Sequence, residues 1–164
     1  MRLRSSRTDP AMSGASFGAA RVLVRLGDRV GAAEALARVP ATAAAHVTAQ
    51  VRLCRVLCQD VAGAAPVAAD LERASAVLDL VAAQDVAPTT RLGLRRDLLA
   101  AALRLCAAGA VDRDLVLGGT PCREGDLRSA LERTLRDLAT HAATPAARAA
   151  LVDEANHWRP WTWT

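Results

Sequence analysis

The fold is constrained most by one stretch, residues 16–40, which reads SFGAARVLVRLGDRVGAAEALARVP. Apolar residues recur at helical spacing on both sides of Gly27-Asp28, so the stretch predicts two short amphipathic helices joined by a tight turn. We expect Gly27 to end the first helix, because glycine adopts the left-handed backbone conformation without a Cβ penalty, and Asp28 to cap the second. Pro40 then ends the unit. Such a pair cannot bury its apolar face alone and must pack against further helices.

The small, large and glycine spacing of this stretch returns twice along the chain. A second copy follows about 34 residues later, which is the period of a tetratricopeptide repeat, and a third, degenerate copy comes after it. The three copies contain Ala20, Leu23 and Gly27; Cys54 and Leu57; and Ala102, Leu105 and Gly109. The sequence therefore predicts an all-α fold, a right-handed tetratricopeptide-like helical solenoid of about seven helices.

Capping residues and prolines predict the later helix boundaries. Thr42 is expected to cap the third helix, and a fifth helix is expected to begin after a break at Pro88. Thr144-Pro145 is a strong start signal for the seventh helix. The partner helix of the third copy is predicted to be short or missing, because a Gly-Gly-Thr-Pro run follows that copy closely.

The predicted domain organisation has three parts. Residues 1–12 are rich in Arg and Ser and have no apolar core of their own, so they are predicted to form a disordered leader. Residues 13–160 form the helical repeat domain, and residues 161–164 form a tail that contains Trp161 and Trp163. These two tryptophans either fold back over the open end of the solenoid, which repeat proteins must cap, or anchor a partner protein.

Composition narrows the classes of partner. The hydrophobic fraction is 52%, but aromatic residues supply only 2%, which favours close-packed helices over a β-sandwich. The net charge of +4 is dispersed among acidic residues, and Phe17 is the only aromatic residue before Trp158, so no stacking platform for nucleic acid is present. We therefore expect no nucleic-acid partner. Because the sequence shows no signal peptide and no apolar run of membrane length, we also expect no membrane partner and a cytoplasmic location.

Catalysis and metal binding are both disfavoured. A kinase needs a phosphate-binding Lys and the HRD and DFG motifs, and this chain has no Lys and neither motif. Cys54 and Cys58 lie one helical turn apart, and we interpret them as small core residues rather than zinc ligands. No cofactor is expected. An enzyme stays a third hypothesis, which requires His46, Cys54 and a carboxylate to meet in one closed pocket.

The favoured function is protein–protein interaction on the concave surface of the solenoid, which the first helix of each pair would line. The helical register places five residues there: Arg21, Val24, Arg25, Arg55 and Cys58. Because three of them are arginines, the surface should favour acidic peptide segments. A short stack also leaves apolar ends that self-association could cover, so a homodimer is a second expectation.

Three stretches carry a resemblance to a known family: FGAARVLVRLGDRVGAAEALARVP, LGGTPCREGDLRSALERTLRDLA and LVDEANHWRP. They resemble the C-terminal tetratricopeptide-repeat region of bacterial serine/threonine kinases of the protein kinase G type. The resemblance implies a regulatory, non-catalytic module for docking or dimerisation, with a kinase domain as a candidate partner. The family's kinase and rubredoxin-like domains are absent from this sequence, so the alternative is a truncated or split fragment of such a kinase.

Overall fold

The computed structural model describes residues 10–159, which form seven helices and one small antiparallel hairpin. The helices are α1 (Pro10–Arg25), α2 (Arg29–Ala37), α3 (His46–Cys58), α4 (Ala68–Ala82), α5 (Pro88–Ala107), α6 (Glu124–Thr140) and α7 (Pro145–Trp158). The hairpin strands are β1 (Val116–Leu117) and β2 (Thr120–Pro121). The predicted all-α helical-repeat architecture is confirmed.

The turn between α1 and α2 has the predicted chemistry. Gly27 has a φ of +82°, and the Asp28 carboxylate accepts a hydrogen bond from the Gly31 N–H at 2.8 Å. Any Cβ at Gly27 would also lie 3.3 Å from the Cβ of Ala62 in the second pair. Glycine therefore suits both the backbone conformation and the close approach of the two pairs, where a side chain would be strained and would require Ala62 to shift slightly.

Three helices begin elsewhere than predicted. α1 extends back to Pro10, into the predicted leader, and the remainder of that leader lies outside the described residues. α3 begins at His46 behind Ala45, because the chain turns after Pro40 instead of continuing from a Thr42 cap. α5 begins at Pro88 itself, since proline suits the first helical position, where no N–H partner is needed. The start of α7 behind Thr144 is as predicted.

Neighbouring helices pack in the order of the chain. α1 packs on α2, α3 on α4, and α6 on α7, while α5 contacts α3, α4 and α6. The hairpin lies between α5 and α6 in the chain, and its Leu117 is fully buried. The prediction of a short or missing partner helix for the third copy is wrong, because α6, a helix of 17 residues, packs against α5. The Gly118 N–H donates to Ser75 Oγ at 2.9 Å, which attaches the hairpin to α4.

Arg29 joins the first helix pair to the loop between α3 and α4. Its Nη1 donates to the carbonyl oxygen of Ala65 at 3.0 Å, and its Nη2 donates to those of Gln59 at 3.0 Å and Ala64 at 2.6 Å. The same Nη1 lies 3.3 Å from Oδ2 of Asp70 on α4. Because one guanidinium serves four acceptors, it fixes how the first two pairs stack and therefore how α1 and α3 are spaced.

The core consists of leucine, alanine and valine with buried thiols. Its largest fully buried side chains are Leu36, Leu57, Leu71, Leu94, Leu98, Leu99, Leu117, Leu127, Leu131 and Leu135, with Val81 and Cys54. Alanines fill the spaces between them, so the helices approach closely. Within residues 10–159, no helix has the length and apolar character needed to cross a membrane.

Candidate protein-binding groove

A groove of about 330 Å³ opens between α1 and α3, with α2 beneath it. We call it the α1–α3 groove, and its lining residues are Phe17, Ala20, Arg21, Val24, Arg25, Leu36, Arg52, Arg55 and Val56. The five apolar side chains form the floor, and the four arginines are all exposed at the rim. The site therefore combines an apolar surface with concentrated positive charge.

The arginines occupy matching positions on the two walls. Arg21 and Arg25 lie four residues apart on α1, and Arg52 and Arg55 lie three apart on α3. Residues at these spacings project from the same helix face, about 5–6 Å from each other. Half-buried Val24 lies next to Arg25 on α1, and half-buried Val56 lies next to Arg55 on α3. Each wall therefore carries both apolar and positively charged side chains.

One direct contact joins the walls. The guanidinium carbon of Arg52 on α3 lies 4.6 Å from the centroid of the Phe17 ring on α1, within the range of a cation–π interaction. Phe17 is thereby held at one end of the floor, and the Arg52 charge is held over the groove. The contact spans the groove without neutralising any of its charge.

No carboxylate compensates this charge. In the part of the chain with described side chains, residues 13–159, none of the four rim guanidinium groups forms an ion pair within 4.0 Å, and no Asp or Glu lines the groove. Seven other arginines of the same part do pair with Asp or Glu. The α1–α3 groove is therefore a place where the helices leave several positive charges together and unpaired.

Comparison with known families decides what kind of protein carries this groove. The sequence matches, over residues 4–162, the family model described as Protein kinase G tetratricopeptide repeat. The chain belongs to the protein kinase G tetratricopeptide-repeat family. The resemblance read from the three sequence stretches is confirmed, and the match spans nearly the whole chain. A search of curated proteins found no significant match.

Membership of the protein kinase G tetratricopeptide-repeat family makes the chain a helical-repeat module of a class that mediates protein interactions and is generally non-catalytic. The α1–α3 groove lies on α1 and α3, the first helices of the first two pairs. These are the helices that were expected to line the binding surface of such a solenoid. Family membership and the geometry of the groove therefore indicate the same surface.

The structure brings four of the predicted binding residues together. Arg21, Val24, Arg25 and Arg55 all line the α1–α3 groove. Cys58 does not, because it is buried in the core, with 2% of its surface exposed. Position 58 is one turn after buried Cys54, so the register places both thiols in the core. Trp161 and Trp163 lie outside the described residues.

Five lining residues were not among the predicted binding residues: Phe17, Ala20, Leu36, Arg52 and Val56. Phe17 is four residues before Arg21, and Arg52 is three before Arg55, so the helical register itself could have identified both. Their connection to each other, across two helices, has no signal in the local sequence.

The thiols show no sign of nucleophilic or metal-binding chemistry. The hydrogen bond with the neighbouring Cys54 raises the pKa of Cys58, and burial raises it further, so Cys58 stays protonated at neutral pH. All four cysteines are free. Within the described residues, no three His, Cys, Asp or Glu side chains are arranged to hold a metal ion. His46 Nδ1 lies 3.0 Å from the carbonyl oxygen of Val39, which gives this histidine a structural contact at the start of α3.

Proposed function

We propose that the chain is a non-catalytic docking module whose α1–α3 groove binds an acidic segment of a partner protein. The observation that carries this proposal is the set of four unpaired arginines above an apolar floor. Arginine pairs with carboxylates through two parallel hydrogen bonds, and such bonds are stronger than those between neutral groups. The apolar floor adds contact area that a simple surface charge cluster would lack.

The family supports a kinase domain as the first partner to test. A tetratricopeptide module of the protein kinase G family is a natural candidate for docking on a kinase domain of the same type, in the cytoplasm, or for forming a homodimer. The second candidate function is that the chain is a separated part of such a kinase, which restores a regulatory contact by binding a kinase domain made as another polypeptide. Both candidates use the same surface and differ in the partner.

Two features support the absence of catalysis. The sequence has no lysine, so the phosphate-binding residue of protein kinases is missing. The thiol of Cys54 is fully buried and donates to the carbonyl oxygen of Ala74 at 3.7 Å, whereas His46 Nδ1 lies against the carbonyl oxygen of Val39, so each side chain has a separate structural contact.

The test is a titration of the purified chain with a fluorescently labelled peptide composed of Glu and Leu, followed by anisotropy. Binding should weaken as salt rises, because exposed charge pairs are screened. In the double variant Arg21→Glu/Arg55→Glu, we expect affinity to fall at least about tenfold. The matched control is Arg113→Glu/Arg133→Glu, which makes the same change in net charge at exposed positions outside the groove.

Two outcomes would refute the docking site. Unchanged affinity in the groove variant would show that the arginines do not contact the peptide, and equal losses in both variants would show that only net charge matters. Urea unfolding of each variant checks that the fold is intact. Light scattering of the chain, alone and with a kinase domain of the same family, then distinguishes a homodimer from a kinase partner.

A further inference from the structure

Among the residues that the structure describes, the α1–α3 groove offers hydrogen-bond donors but no side-chain acceptor. Its lining consists of Phe, Ala, Val, Leu and Arg, and a guanidinium group donates up to five hydrogen bonds while accepting none. A bound peptide can therefore satisfy carboxylates and carbonyl oxygens at the rim. Its backbone N–H groups find no side-chain partner there.

Most of the backbone of the walls is also occupied. Carbonyl oxygens inside α1 and α3 accept bonds within their own helices. At the end of α1, the carbonyl oxygens of three residues accept from the following turn; these are Val22, Leu23 and Val24, bonded to the N–H groups of Leu26, Asp28 and Gly27. The hairpin, the one sheet of the described range, lies between α5 and α6, and no strand edge lines the groove.

These facts restrict the conformation of the occupant. An extended peptide exposes N–H groups along its length, and each one left unpaired against an apolar floor is destabilising by about 1–3 kcal/mol. Because the groove lining has no acceptor side chain and few free carbonyl oxygens, it cannot supply most of the missing partners. A helical peptide forms its N–H hydrogen bonds internally, apart from its first turn.

Building on the docking function proposed above, we propose that the α1–α3 groove binds an acidic amphipathic helix. Its apolar stripe packs on Phe17, Val24 and Val56, and its Asp or Glu residues flank that stripe on both sides. The flanking carboxylates meet the arginine pair on each wall. Because each pair is spaced by about one helical turn, carboxylates three or four residues apart on the partner helix match it.

The experiment compares three labelled peptides of about 18 residues, a length at which helix formation in water becomes appreciable. The first has leucines spaced three and four residues apart, with glutamates on both flanks. The second has the same composition in scrambled order. The third keeps the first pattern but carries proline at two solvent-facing positions, which breaks the helix and leaves the charge unchanged.

We expect the patterned peptide to bind at least about tenfold more tightly than the other two, and to gain helical circular dichroism on binding. Arg21→Glu/Arg55→Glu should remove that preference, and Arg113→Glu/Arg133→Glu should retain it. Equal binding of all three peptides would overturn the helical occupant but leave the docking function standing. Groove-dependent binding of the proline peptide alone would identify an extended occupant. Failure of every acidic peptide to respond to the groove arginines would reject the docking site itself.

Discussion

Replacing Arg29 with methionine should lower the free energy of unfolding by about 3 kcal/mol, because it leaves a largely buried carboxylate without its cation. Arg29 and Asp70 have side chains only 11% and 17% exposed, and Arg29 also donates to three carbonyl oxygens of the α3–α4 loop. Methionine retains most of the apolar stem, so the change isolates the guanidinium.

The size of this loss of stability depends on the hydrogen bonds that the former partners of Arg29 keep after the substitution. Breaking a buried ion pair by removing one partner costs about 3–5 kcal/mol. The lower end applies here, because Asp70 still accepts from the Val67 N–H at 3.0 Å and the three loop carbonyls can reach water. Arg29 Nε is buried without a hydrogen-bond partner, so its removal offsets part of the lost free energy of unfolding.

The assay is urea unfolding followed by far-ultraviolet circular dichroism. For a chain of this size, with a slope near 2 kcal/mol per molar urea, the midpoint should fall by about 1.5 M. Arg73→Met is the control, because Arg73 also pairs α4 with α2, through Glu34, but at 4.0 Å and with side chains 40% and 54% exposed. That pair should contribute less than about 0.5 kcal/mol. Equal effects of the two substitutions would refute the reasoning.

The remaining predictions concern the turn, the core and the thiols. Gly27→Ala should destabilise by about 1–2 kcal/mol, because its φ is +82°, and Gly14→Ala, inside α1 with open space around it, should not. Leu131→Ala should destabilise by about 3 kcal/mol in the same urea assay, since the side chain is 1% exposed and leaves a cavity. The free energy of unfolding should fall as the pH rises above about 9, because the unfolded chain ionises Cys58 while the folded chain keeps the thiol proton. Cys58→Ala should make this fall with pH less steep, and an unchanged slope would contradict the raised pKa of Cys58.

Local chemistry made much of this fold predictable. The turn at Gly27-Asp28 and the start of α7 behind Thr144 each depend on a few adjacent residues whose conformational preferences are strong. The start of α3 could not be predicted in the same way, because Ala45 provides no capping side chain. There the boundary is set by how the chain turns after Pro40.

The site was predictable to the extent that it depends on helical register. Arg21, Val24 and Arg25 share a face of α1 whatever lies around it, and the structure places all three in the groove. The assignment of Cys58 to the groove was wrong because position 58 belongs to the core face of α3, one turn after buried Cys54. The Arg29 contacts could not be predicted from the local sequence, since they join residues 30 or more positions apart.

The distribution of ion pairs is the property of the fold that bears most on function. Arg and acidic residues interleave along much of the chain, and the net charge is only +4, but residues 10–27 and 35–59, which include all four groove arginines, contain no Asp or Glu. Among the residues that the structure describes, seven arginines pair with carboxylates, and the four at the α1–α3 groove are among those that do not. Like charges held together are mildly destabilising, and one glutamate on either wall would relieve them. Positive charge kept on both walls of an apolar groove contributes nothing to folding, and it becomes useful when a partner supplies the missing carboxylates.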